Sequence, residues 1–250
     1  MSVTNASIPR LSFPRTHPCS FSSTASGRLP NLDCEHCHGV TAVNFGYPLV
    51  RPAELKGFVF DDNWDTPSVG LADFEKIQAC GKAIYGEDVL LMPGAQVGEF
   101  DIYAHGSSPK HLFEIERVEP GGILFSMRIL DVLSCSDIFL PNVRHELRQA
   151  DGKVRFYGLT QAPVYRILLP ISIKDTGCQQ CVHCGCVSPV RVNSTIPPIL
   201  YFDSAAKNSI APVFRVVGYE ASLFLRDDVA RIFQAIDNLG ADLQPWGQWM

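Results

Sequence analysis

Two short stretches hold the residues best suited to chemistry. They are Cys34-Glu-His-Cys37-His-Gly39 and, far downstream, Cys178-Gln-Gln-Cys181-Val-His-Cys184-Gly-Cys186. Each contains a C-x2-C spacing, which lets one tight turn present two thiolates to a single ion. Two such turns supply four sulfurs, the full tetrahedral shell of a structural zinc, whereas calcium and magnesium select oxygen. The spacing therefore points to structural Zn2+ held by Cys34, Cys37, Cys181 and Cys184. In the second cluster Cys178/Cys181 has the same spacing, and Cys186 or His183 are alternative ligands. The Cys181/Cys184 frame is preferred because Gly185 follows it, and a residue without Cβ accepts the positive φ such a turn often needs. Disulfides are the competing use of these thiols. The chain has nine cysteines, an odd number, shows no secretory signal, and residues two or three apart bridge awkwardly. Cys80 and Cys135 stand alone in apolar sequence and read as buried free thiols.

The elements that must position these turns are mostly strands. Period-two or short apolar runs fall at residues 41–50, 58–60, 99–103, 111–118, 123–132, 153–159 and 164–173 before the second cluster. Shorter ones follow at 199–202, 214–217 and 221–225. Helical periodicity is confined to 72–84 and to 227–239. In the second helix Val229, Ile232, Phe233, Ile236 and Leu239 share one face, and Gly240 stands at the stop. Strands joined by short turns predict an α+β fold, a largely antiparallel sheet with a few flanking helices and a zinc-ribbon-like four-cysteine clip. Residues 1–32 carry ten Ser/Thr, four prolines, three arginines and no acid. A segment of that composition buries too little to fold alone, so 1–30 is expected as an extended, poorly structured arm before a domain over 31–250.

Composition narrows the function. With 46% apolar and 19% charged residues the chain reads as an ordinary soluble protein. Its best apolar run, 164–173, is too short to span a bilayer and contains Arg166 and Pro170, so a cytoplasmic protein with no membrane partner is expected. Net charge is −5, and from Glu54 to Asp101 ten acids face three lysines and no arginine. That balance disfavours nucleic acid, whose phosphates recruit Lys and Arg, and suits a basic protein partner. Within it, Asp61, Asp62, Trp64 and Asp65 form an acidic-aromatic candidate contact, although Trp64 serves core packing equally well. Trp246 and Trp249 are the next candidates. No phosphate loop, dinucleotide fingerprint, zinc-protease motif or nucleophile elbow is present, so no catalytic residue is assigned and the protein is not expected to be an enzyme. Four thiolates also leave zinc no open position with which to activate water.

Several motifs together are similar to the double-CXXCG motif proteins, a paralogous family noted in myxobacteria. They are Leu29-Pro30 before Cys34/Cys37, then Tyr47-Pro48, Leu91-Met-Pro-Gly94, Gly98-Glu-Phe100, Cys181-Val-His-Cys184-Gly185, Phe214-Arg215 and the terminal helix, spanning about residues 29 to 243. The first motif departs from the pattern, with His38 directly after the second cysteine and glycine one place later. The resemblance implies an immunity protein that binds and neutralises a cognate bacterial toxin. The competing expectations are a zinc-ribbon nucleic-acid module, which the absence of a basic stripe argues against, and an enzyme whose site assembles from scattered residues.

Overall fold

The computed structural model describes residues 7–13, 21–37, 40–41, 43, 46–55, 57–60, 66–85, 90–119, 121–170, 179–185, 187–188, 200–220 and 222–250. The first half of the chain supplies β1 (Ser7–Ser12), β2 (Phe21–Arg28), β3 (Asn31–Asp33), β4 (Val40–Thr41), β5 (Gly46–Tyr47) and β6 (Ser68–Val69). Helix α1 (Leu71–Tyr85) comes next, followed by β7 (Gln96–Ala104), β8 (Ile115–Glu119), β9 (Gly122–Ser126) and α2 (Met127–Ser134). Then come β10 (Asn142–Arg148), β11 (Val154–Thr160), β12 (Val164–Tyr165), β13 (Gln179–Gln180) and β14 (Val187–Ser188). The last elements are β15 (Leu200–Phe202), β16 (Val213–Val216), β17 (Leu223–Leu225), α3 (Asp227–Gln234) and β18 (Asp242–Trp249). The fold is α+β, dominated by antiparallel pairing, with three α-helices among the described residues.

Two large sheets organise it. One runs β12-β16-β17-β1-β18-β15, and the other β10-β11-β9-β8-β2-β7-β5. The first is closed by the segment that begins as β12. Val164 and Tyr165 pair with β16, and three residues later Leu168 bridges to Phe202 of β15. Leu169 N donates to Tyr201 O at 2.9 Å and Asp203 N to Ile167 O at 2.9 Å, so one strand seals both edges. The interior of this small barrel is aromatic: Phe202, Phe214 and Phe224 meet with ring centroids 5.4 to 6.4 Å apart, over Ile8, Leu200 and Val216. Closure removes the exposed edges that otherwise invite aggregation. Between the two sheets lie α2 and α3, whose Ile129, Leu133, Val229 and Phe233 pack on Leu11, Leu223 and Leu225 from one sheet and on Ile115, Ile123 and Phe125 from the other.

The N-terminal segment differs from the expected arm. β1 lies between β17 and β18 in the barrel, and β2 between β7 and β8, with Ile8 and Phe21 fully buried. Composition judges what a segment can bury by itself. β1 instead receives its ladder partners from residues more than 200 positions away, and β2 from residues 68 to 97 positions away. The apolar run at 123–132 also divides. Ser126 ends β9, and its Oγ accepts from Ile129 N at 3.3 Å, capping α2 and turning a strand into a helix. The terminal helix stops at Gln234, five residues short of the expected end, because the chain beyond it is drawn into the second sheet. There Asn238 and Leu239 carbonyls accept from Glu114 N (3.1 Å) and Ile115 N (2.8 Å), with Asn238 and Gly240 at positive φ. The expected strand at 58–60 is reduced to a single bridge from Phe60 to Arg28, and that at 41–50 to the short β4 and β5.

The third cluster of buried residues positions the cysteines. Helix α1 lays Phe74 and Ile77 against Leu29, Leu32, Tyr47 and Leu91. Gly81, a weak point for helix propensity, lets Leu91 approach so closely that a Cβ there would lie 2.5 Å from its Cδ1. The Gln78 amide holds the Leu91 backbone from both sides, and Tyr47 OH donates to Leu90 O at 2.6 Å. Cys34 and Cys184 belong to this cluster.

Candidate metal centre

The first knuckle grows out of a small three-stranded sheet, β4-β3-β6. Leu32 in β3 is buried in the α1 core, and Cys34 follows one residue after that strand ends, with 1% of its surface exposed. A turn over 35–37 then carries Cys37 to the exposed rim. The second knuckle is the loop of the β13–β14 hairpin. Gly185 N donates to Cys181 O at 2.8 Å, closing the turn, and Gly185 has φ +69, a conformation that favours glycine. A Cβ at Gly185 would also lie 2.3 Å from Nη1 of Arg166, so the Arg166 guanidinium occupies the space a larger residue would need.

These two turns meet. Sγ of Cys34 lies 3.9 Å from Sγ of Cys181, and Sγ of Cys37 lies 4.0 Å from Sγ of Cys184. All four sulfurs fall within 4.8 Å of one another, and none is in a disulfide. A tetrahedral ion with metal–sulfur bonds of about 2.3 Å separates its ligands by about 3.8 Å, so the spacing matches a shared ion and is far too long for a bond of about 2.05 Å between sulfurs. The four cysteines can hold a metal ion between residues 147 positions apart. The chemistry of the donor set, four sulfurs and no oxygen, fits a soft or borderline cation.

Backbone dipoles already favour charged sulfur. The N–H of Cys184, and after it that of His183, pulls the Cys181 thiol down to about 7, helped by the neighbouring sulfurs of Cys184 and Cys34 and opposed by burial. Thiolate is the form that binds metal. His183, an alternative ligand on spacing grounds, stacks face to face on His36 of the other knuckle, with ring centroids 3.3 Å apart and planes 8° from parallel. The signal for this contact lies in the sequence: both turns read Cys-x-His-Cys, so two equivalent histidines meet when the turns do. Arg166 carries no such signal. It reaches the second knuckle because the barrel-closing segment passes there.

The remaining sequence candidates divide. Cys178 and Cys186 lie outside the described residues, as do Asp61, Asp62, Trp64 and Asp65. Trp246 and Trp249 pack on the barrel core: Trp246 carries the Arg10 guanidinium 3.8 Å from its ring centroid, and Trp249 meets Phe202 at 5.8 Å. Cys80 is half-buried on the α1 core and donates to Glu54 O at 3.8 Å, whereas Cys135, expected to be buried, is exposed where α2 ends.

One group of ionisable residues went unread in the sequence, at Glu114, Glu116 and Arg155. Glu114 accepts from Arg155 (2.9 Å), from Ser126 Oγ and from Arg128 (3.5 Å). Glu116 is 2% exposed and accepts from Phe113 N at 2.7 Å. Burial pushes its carboxyl up to about 7, against the opposing pull of that N–H and of Arg155. These acids are spent on internal partners.

No protein-family model, curated protein or solved structure matches this chain.

Proposed function

We propose that this protein is a non-catalytic immunity protein that binds and neutralises a cognate toxin, its fold clipped together by structural zinc. The observation that carries the reading is the convergence of Cys34, Cys37, Cys181 and Cys184 into one four-sulfur cluster that ties residue 34 to residue 181. A closed shell of thiolates suits a structural ion and leaves no position for substrate. The buried acids support the same reading, because Glu114 and Glu116 are occupied by internal donors. The resemblance of the two cysteine turns and their flanking motifs to the double-CXXCG proteins supports the immunity role. The acidic stretch from Glu54 to Asp101 supports a toxin that is basic at the contact, since opposite potentials steer encounter.

Growth of poisoned cells tests the function. Co-expression with a toxin encoded beside this gene restores growth on this reading, and the purified pair co-elutes on size-exclusion chromatography. A neighbouring toxin that kills equally well in the presence of the folded protein, and does not bind it, contradicts the reading.

A further inference from the structure

We propose that Cys37 is an oxidant-sensitive modification site and Cys184 its resolving thiolate, so that peroxide exchanges the metal link between the knuckles for a disulfide. The inference rests on the zinc reading above and assigns that site a regulation.

Two observations carry it. Access to the four sulfurs is unequal: Cys34 is 1% and Cys184 6% exposed, Cys181 is half-buried, and Cys37 stands open to solvent. A small oxidant therefore meets Cys37 first. The two sulfur–sulfur contacts at 3.9 and 4.0 Å both cross from one knuckle to the other, and the partner of Cys37 in that pairing is buried Cys184. Sulfurs 4.0 Å apart need to close by about 2 Å to reach disulfide length.

The steps balance. The Cys37 thiolate attacks hydrogen peroxide, breaking its O–O bond; with one proton taken up, sulfenic acid and water form. The Cys184 thiolate then attacks the sulfenic sulfur, an S–S bond forms, and hydroxide leaves. Two electrons pass from the two sulfurs to one peroxide. Cys34 and Cys181 remain as a two-sulfur remnant of the shell, from which zinc is lost. The new bond joins positions 147 apart, so the halves stay clipped after the metal leaves.

The experiment uses the wild-type full chain, loaded with zinc and treated with hydrogen peroxide. Released zinc is followed with a coloured chelator, and disulfides are mapped by mass spectrometry of peptides prepared without reductant. The expected result is loss of most of the zinc in step with a Cys37–Cys184 cross-linked peptide, both reversed by thiol reductant and added zinc. Cys135→Ser, which removes the other thiol exposed among the described residues and leaves the metal shell intact, gives the same rate. Zinc loss with a Cys34–Cys37 bridge overturns the proposal. So do bridges through Cys178 or Cys186, a Cys37 oxidised only to sulfinic acid, or retention of zinc. If the chain as purified holds no zinc, the zinc reading fails separately. Peroxide treatment of that same sample still decides the pairing, since a Cys37–Cys184 bridge upholds it and any other bridge removes it.

Discussion

Replacing Glu116 with glutamine should make the protein more stable at alkaline pH and leave it unchanged in mild acid. The Glu116 carboxyl is 2% exposed, and burial raises its pKa from 4.5 to about 7. In the unfolded chain it ionises near the ordinary value, so between about pH 4.5 and 7 the folded state binds a proton that the unfolded state has released. Stability from this group is therefore complete below about pH 4.5 and is lost as pH rises through about 7. A shift of that size corresponds to about 3 kcal/mol between the two limits. Glutamine is nearly isosteric, keeps an oxygen for the Phe113 N–H, and cannot ionise. Urea unfolding of both proteins, at about pH 4.5, 6, 7 and 8 in the presence of chelator, isolates the effect from the pH dependence of metal binding. The stability difference should be near zero at the lowest pH and grow towards about 3 kcal/mol at the highest, in favour of the variant. A difference that stays constant across the series refutes the argument that burial holds this proton.

Three further outcomes follow from close approaches and charge. Gly81→Ala, which stabilises an ordinary helix by up to about 1 kcal/mol, should here destabilise α1 because the new Cβ meets Leu91 Cδ1; a raised melting temperature would contradict this. Gly185→Ala should weaken zinc retention against a competing chelator, since it forces a Cβ onto φ +69 and onto the Arg166 guanidinium, at a cost of about 1–2 kcal/mol. Joint charge reversal of Asp61, Asp62 and Asp65 should slow association with a basic toxin in surface-plasmon measurements, with the loss shrinking in high salt; unchanged association moves the interface elsewhere.

The four sulfurs are legible in the sequence because C-x2-C is a local geometric constraint. Gly185 strengthens the reading, since its need for positive φ comes from the turn and from no distant partner. Helix α1 and the first two turns of α3 are legible for a similar reason, as their apolar faces repeat within a few residues. Ser126 marks the limit. The run from Ile123 to Val132 is apolar apart from Ser126, Arg128 and Asp131, and the Ser126 hydroxyl decides where strand becomes helix. β1, β2 and β18 are less visible still, because Ser, Pro and Gly serve there as strand residues only through long-range pairing such as Ile8 with Gly247. Barrel closure by residues 164–169 and the seating of Arg166 beside the second knuckle depend on topology, which no local pattern encodes.

Elemental analysis of protein purified without added metal tests the central claim most directly. One zinc per chain is expected, lost in Cys34→Ser and Cys181→Ser and retained in Cys80→Ser and Cys135→Ser. A wild-type chain that is fully folded and free of metal would contradict it.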